Sequence, residues 1–129
     1  MRTYHKDGTC PQDGQIFVFG SNLAGVHGAG AARVAHKMYG ANWGQGVGWA
    51  GQSYAIPTKD NNIETLSLFK ISEYVATFIK IAKSYPDKKF WVTRVGCGLA
   101  GYADAGITPM FEDAPDNCSF AEEWRPYLD

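Results

Sequence analysis

Apolar residues along this chain gather in short runs separated by glycine- and proline-containing breaks, and the spacing within each run identifies its element. Gln15-Ile-Phe-Val-Phe19 is β-branched and aromatic, lies between the turn residues Pro11-Gln-Asp-Gly14 and Gly20-Ser-Asn22, and predicts a buried strand. Next, Ala31, Val34, Ala35 and Met38 recur at helical spacing while Arg33, His36 and Lys37 fall on the opposite face. Gly40 follows where the helix stops. Gln52-Ser-Tyr-Ala-Ile56 predicts a second strand, ended by Pro57 because proline has no amide to give to a ladder. Ser67 then caps a helix in which Ile71, Val75, Phe78 and Ala82 share a face, and Pro86 stops it soon after Tyr85. Phe90-Trp-Val-Thr-Arg-Val95 is the strongest strand signal and runs straight into Gly96-Cys-Gly-Leu-Ala-Gly-Tyr102. A shorter helix is expected around Ala105 to Asp113, and Phe120, Trp124 and Tyr127 in the tail are expected to cover a core edge.

The order strand, glycine-rich loop, helix, strand, helix, strand, glycine-rich loop, helix predicts an α/β sandwich with a largely parallel central sheet. No linker or low-complexity tract divides the 129 residues, so residues 1–129 are expected to form one domain. In such sheets ligands collect at the carboxyl ends of the strands. The polar or glycine-rich segments around Asn22, Lys59 and Gly96 all emerge there.

Charge and composition narrow the ligand. Lys+Arg 12 against Asp+Glu 13 leaves no basic excess to hold a nucleic-acid backbone or an anionic membrane, so a nucleotide would have to be held by backbone groups. No apolar run approaches the roughly 20 residues of a membrane span, and the first residues lack the apolar stretch of a signal peptide. A cytoplasmic protein with no membrane partner is expected. Three cysteines without a Cys-x-x-Cys pair indicate reduced thiols, and His5, His27 and His36 lack metal-ligand spacing. Neither a metal nor a cofactor is expected.

Gly28-Ala-Gly30 lets the backbone approach a ligand closely and leaves amides free at a helix N-terminus, a site that favours phosphate. Gly96-Cys-Gly98 with Gly101 offers a second such loop, so the two could grip a diphosphate from both sides. The alternative is that these glycines serve only tight turns. Gly25-x-x-Gly28-x-Gly30 differs from the Gly-x-Gly-x-x-Gly of dinucleotide folds, and no Gly-Lys-Ser/Thr occurs, which argues against both a Rossmann dehydrogenase and a P-loop kinase. Cys97, at a helix N-terminus, could carry a lowered thiol pKa with His27 as its base, although a small residue packed under a loop is the plainer reading. Trp43 and Trp49 could stack on a base or pack against the core.

These segments resemble the macrodomains, which bind ADP-ribose, and within them the branch of small macrodomains that includes the terminal ADP-ribose glycohydrolase and the DNA-ADP-ribose-removing antitoxins. His27-Gly-Ala-Gly-Ala-Ala32 is similar to the branch's Met-Gly-Ala-Gly-Ile-Ala loop, Ile56-Pro-Thr-Lys59 to its strand ending in Thr-Lys, and Val95-Gly-Cys-Gly-Leu99 to its Ile-Gly-Cys-Gly-Leu loop. They occur in the family's order across Ile16 to Met110. The resemblance implies a three-layer α/β/α sandwich with a mixed, largely parallel sheet. It also implies that Asn22 approaches the distal ribose, that Gly28, Ala29, Gly30 and Ala31 hold the phosphates and that ribose, and that Gly96, Cys97, Gly98, Leu99, Ala100 and Gly101 close over the diphosphate. Tyr102 would stack on the distal ribose, and Ser21 and Thr58 would complete the ligand-binding set beside Asn22 and Lys59. Two departures stand out: no Gly-Asp-Ile/Leu stretch supplies the usual adenine-binding Asp, and Ala100 replaces the Asp that follows Gly-Cys-Gly-Leu.

The resemblance assigns catalysis to Lys59, whose amine could attack the anomeric carbon or form a Schiff base with the opened sugar if its pKa were lowered. Asp104 is the expected acid/base partner and Asp60 a poorer one, because neighbours on an extended segment point to opposite faces. The readings that follow are an enzyme removing ADP-ribose from a modified macromolecule, a module that reads or sequesters ADP-ribose or a related NAD-derived nucleotide, and an interaction domain with no nucleotide ligand.

Overall fold

A computed structural model describes all residues from Met1 to Asp129. Its centre is β2 (Ile16–Asn22), the apolar run read as the first strand, which continues through Gly20 and Ser21 to Asn22. β4 (Ser53–Lys59) pairs parallel to one side of it and β5 (Phe90–Val92) parallel to the other. Beyond β5 lie β6 (Cys118–Ala121) and β1 (Thr3–His5), both parallel, and beyond β4 lies β3 (Gly48–Ala50), the one antiparallel strand. The resulting order β1-β6-β5-β2-β4-β3 gathers five carboxyl ends along one edge.

Helices cover both faces, which completes the α/β/α sandwich. α2 (Leu68–Ser84) begins at Ser67, whose hydroxyl accepts from the Lys70 amide at 3.1 Å, and buries Ile71, Val75, Phe78 and Ala82 as their spacing requires. On its side of the sheet an 18-residue core forms around Val18, Ile56, Phe90 and Phe120. α1 (Gly30–Met38) covers the other side with only Ala32 and Ala35 buried, and there the core has 7 residues, including Phe17, Phe19 and Tyr39.

Several boundaries differ from the sequence reading. β4 runs through Pro57 instead of ending at it, because the last β3 pair is Gly48 with Ala55 and the edge beyond asks for no donor. β5 stops at Val92 rather than Val95: Thr93 turns its amide and its hydroxyl onto Val18 O at 3.0 and 2.8 Å, and the chain leaves the sheet. The expected helix around Ala105 to Asp113 is two short pieces, α3 (Asp104–Ile107) and a 3-10 turn (Thr108–Phe111), with Pro109 at its start. A second 3-10 turn (Glu122–Trp124) leads into α4 (Arg125–Leu128). In the tail, Phe120 and Trp124 are core residues, whereas Tyr127 is exposed. No helix is long and apolar enough to cross a membrane.

Candidate functional site

A cleft of about 750 Å³ opens where the strands end, between the loop that enters α1 and the loop that follows β5. Ser21, Asn22, Gly28, Ala29, Gly30, Ala31, Thr58, Lys59, Gly96, Cys97, Gly98, Leu99 and Ala100 all line it. Segments separated by scores of residues therefore converge on one concavity. A cleft of this size suits a drug-sized or nucleotide-sized ligand.

The first loop is built to stay in place. Asn22 closes it on itself, accepting from the Val26 amide at 2.9 Å and donating to Val26 O at 2.8 Å. Its amide is thus spent on the loop rather than left free toward a sugar. Ser21 donates its hydroxyl to Gly46 O, and Thr58 donates to Ser21 O at 3.2 Å, so both are buried residues of the cleft wall whose hydroxyls are spent on the scaffold. The Gly44 to Gly48 stretch packs under this turn so closely that a Cβ on Gly46 would lie 2.0 Å from Asn22 O, and one on Gly25 would lie 2.2 Å from the Gly44 carbonyl carbon. His27 secures the same segment, its Nε2 reaching Asn42 O at 2.8 Å and Gln45 O at 3.1 Å, and is almost fully buried. It is not available as a base for Cys97.

Gly28 and Gly98 are different, since nothing lies within 4 Å of a Cβ built on either. The amides of Gly28, Ala29 and Gly30 on one side and of Gly98, Leu99 and Ala100 on the other donate to no acceptor in the chain. α1 has no side-chain N-cap, in contrast to α2. Two rows of unpaired donors therefore border one cleft, an arrangement suited to phosphate oxygens. Leu99 reaches across from the second loop to within 3.3 Å of where a Cβ on Gly30 would sit.

Gly101 lies outside the cleft lining, where its amide closes the second loop on Gly98 O at 3.0 Å. Two other expected site residues turn away. The Tyr102 hydroxyl donates to Leu66 O at 2.6 Å and its ring packs on the large core, so it does not line the cleft. Asp104 is held in a bidentate pair by Arg94, at 3.1 Å from Nε and 2.7 Å from Nη2, and accepts from the Trp124 indole at 2.8 Å. Burial raises its pKa, but the hydrogen bonds from Arg94, Trp124 and Cys97 outweigh that and keep the carboxyl below the ordinary aspartate value. A carboxylate so engaged is a poor proton donor. Burial and the neighbouring Asp104 push the Cys97 thiol up to about 12, opposite to the lowered pKa a nucleophile needs.

Lys59 stands in the cleft wall where β4 ends, in register with Asn22, and forms none of the chain's ion pairs. Asp60 is tied down, its Oδ1 accepting from the amides of Asn62 at 2.8 Å and Glu64 at 3.0 Å. Neither tryptophan of the glycine-rich segment lines the cleft: Trp49 packs on Tyr85 and Phe90, and Trp43 lies edge-on to His27 and His36.

The far end of the cleft escaped the sequence reading. His5 stacks on Trp91 with centroids 3.7 Å apart, and its Nδ1 and the Ser119 hydroxyl are 2.7 Å apart. Asp7 follows at the mouth, 3.5 Å from Arg94 Nη1, so one guanidinium links it to Asp104. Val26 and Ile63 also line the cleft. Asp7 had a weak local signal, an acid followed by Gly8 just past the polar-apolar run Thr3-Tyr-His5. Trp91 and Arg94 had none, because only the pairing of β1 with β6, itself beside β5, sets His5 and Asp7 against them. No three His, Cys, Asp or Glu side chains cluster as metal ligands.

No family model matches the sequence, and no curated protein does. Among solved structures, the macrodomain of Mycobacterium tuberculosis DarG matches with a TM-score of 0.70 at 18% identity, covering 94% of this chain and 97% of that one. A likeness at that identity establishes the fold: the chain has the α/β/α architecture of that macrodomain.

Proposed function

We propose that this protein binds ADP-ribose or a closely related NAD-derived nucleotide in the cleft, with the diphosphate between the two glycine loops. The observation that carries this reading is the pair of unpaired amide rows, Gly28 to Gly30 and Gly98 to Ala100, on the two loops that border one cleft in a protein without basic excess. The Asp7 and Trp91 end takes the adenine, with Asp7 accepting from its exocyclic amine in place of the absent Gly-Asp-Ile/Leu motif. The distal ribose then lies at the Asn22 and Lys59 end.

Lys59 favours a second, finer reading, in which the bound nucleotide is cut from a modified macromolecule. It is the one ionisable side chain at that end left without a partner. Its neutral amine would form a bond to the anomeric carbon as the bond to the carrier breaks, the electron pair and the amine's proton going to the carrier, and water would then displace the lysine to release ADP-ribose. With Asp60 and Asp104 both engaged, the geometry supports binding more strongly than turnover.

Calorimetric titration of ADP-ribose, with NAD, AMP and ADP as comparators, tests the first reading. Micromolar binding is expected for the wild type and a loss of at least about a hundredfold for Gly28→Glu, whose Cβ would meet nothing within 4 Å and whose carboxylate would oppose the diphosphate. Equal binding by both proteins, or none by the wild type, overturns it. Lys59→Ala should keep ADP-ribose binding and abolish release of ADP-ribose from a modified carrier, whereas undiminished release would end the catalytic assignment.

A further inference from the structure

The turn after Lys59 holds the chain's one non-glycine residue at positive φ, Ile63 at 63°. Left-handed backbone crowds any Cβ and crowds a β-branched side chain most. The turn is a small hairpin in which Lys59 pairs antiparallel with Thr65 and the Asp60 amide donates to Glu64 O at 2.8 Å. Such loops place glycine or asparagine at the left-handed position. Here asparagines occupy 61 and 62, yet isoleucine takes the strained place.

Core packing does not compensate for that choice, because Ile63 is 43% exposed. Its side chain instead lines the cleft, together with Lys59 of the same hairpin. Val26 and Leu99, from two other loops, line it too and are 41% and 68% exposed. The Thr65 hydroxyl, donating to Ala100 O at 3.2 Å, ties the hairpin to the second glycine loop and holds the arrangement together. Strain retained at an exposed residue beside a cleft marks a place where contact with a ligand outweighs backbone preference.

We infer that Ile63 is a specificity-determining residue, held in the left-handed conformation so that its side chain covers the sugar at the Lys59 end of the cleft. This rests on the nucleotide reading above and deepens it: the protein selects nucleoside diphosphates that carry a second pentose over those that do not. Ile63 packs on the carbon-bearing face of that pentose and keeps water from it.

The test measures melting temperature and the affinities for ADP-ribose and ADP in the wild type, Ile63→Asn and Ile63→Gly. Both variants relieve the backbone and should melt about 3 °C higher or more. Both should bind ADP-ribose about tenfold more weakly, the effect of losing an apolar contact, and bind ADP as the wild type does. Unchanged ADP-ribose affinity in variants of a wild type that binds both nucleotides overturns the role of Ile63 and leaves the nucleotide reading standing. An equal loss for ADP overturns it by placing the contact elsewhere, and lower melting temperatures overturn the strain argument. A wild type that binds neither nucleotide removes the nucleotide reading and this inference with it.

Discussion

The two faces of the sheet differ in how completely they are covered. On one, α2 has 17 residues, a serine cap and an 18-residue core beneath it. On the other, α1 has 9 residues, no side-chain cap and a 7-residue core. Only residues 6–15 separate β1 from β2, and they form no helix, so Phe17, at the margin of the small core, and Trp91 packed beside it also line a cleft. The difference teaches that this cleft is an omission in packing. Where a covering helix is absent, aromatic surface and unpaired amides remain for a ligand.

Core deletions on the two faces give the sharpest contrast. Phe78→Ala removes a ring packed against Tyr54, Phe90 and Phe111 and should lower the unfolding free energy by about 3–5 kcal/mol. Phe17→Ala should lower it clearly less, because the space left joins a cleft that water already enters, and should weaken nucleotide binding as well. Urea denaturation of both variants measures this, and equal losses would break the contrast between the faces.

Acid should act on the open face first. Burial lowers the His5 pKa from 6.5 to about 4, so between those values the unfolded chain takes up a proton that the folded chain refuses. Stability is therefore full above pH 6.5 and falls as pH drops toward 4, by on the order of 2–3 kcal/mol in total. His5→Gln should flatten thermal stability across that window. A profile as steep as the wild type's would assign the titration to another group.

A smaller effect separates the two helix starts. Ser67→Ala removes the cap of α2 and should cost about 1 kcal/mol with no change in nucleotide affinity. α1 has no such cap to lose, and its first residues line the cleft. Loss of affinity in Ser67→Ala would show that the closed face also shapes the site.

Part of the fold and site could be read before any coordinates. The periodicities of Ala31 to Met38 and of Ile71 to Ala82, the Ser67 cap and the β2 run are local signals, and each depends on residues within a few turns of one another. The glycine loops were legible for the same reason, and most of their residues line the cleft. Tyr102 and Asp104 were misplaced because a loop's sequence does not state which way its side chains rotate. Here Leu66 O drew in one and Arg94 with Trp124 drew in the other.

The local pattern of apolar and glycine positions was enough to specify α1, α2, the central strand and the α/β class of the sheet. β1 and β6 are too short to show a period, and their pairing of Thr3 with Ser119 joins residues from opposite ends of the chain. That pairing brings His5 and Asp7 against Trp91 and Arg94 and so creates the far half of the cleft. Side-chain periodicity reports which face of an element is apolar, whereas long-range register and loop rotation are set by the free energy of the whole packed molecule, and only the tertiary structure contains them.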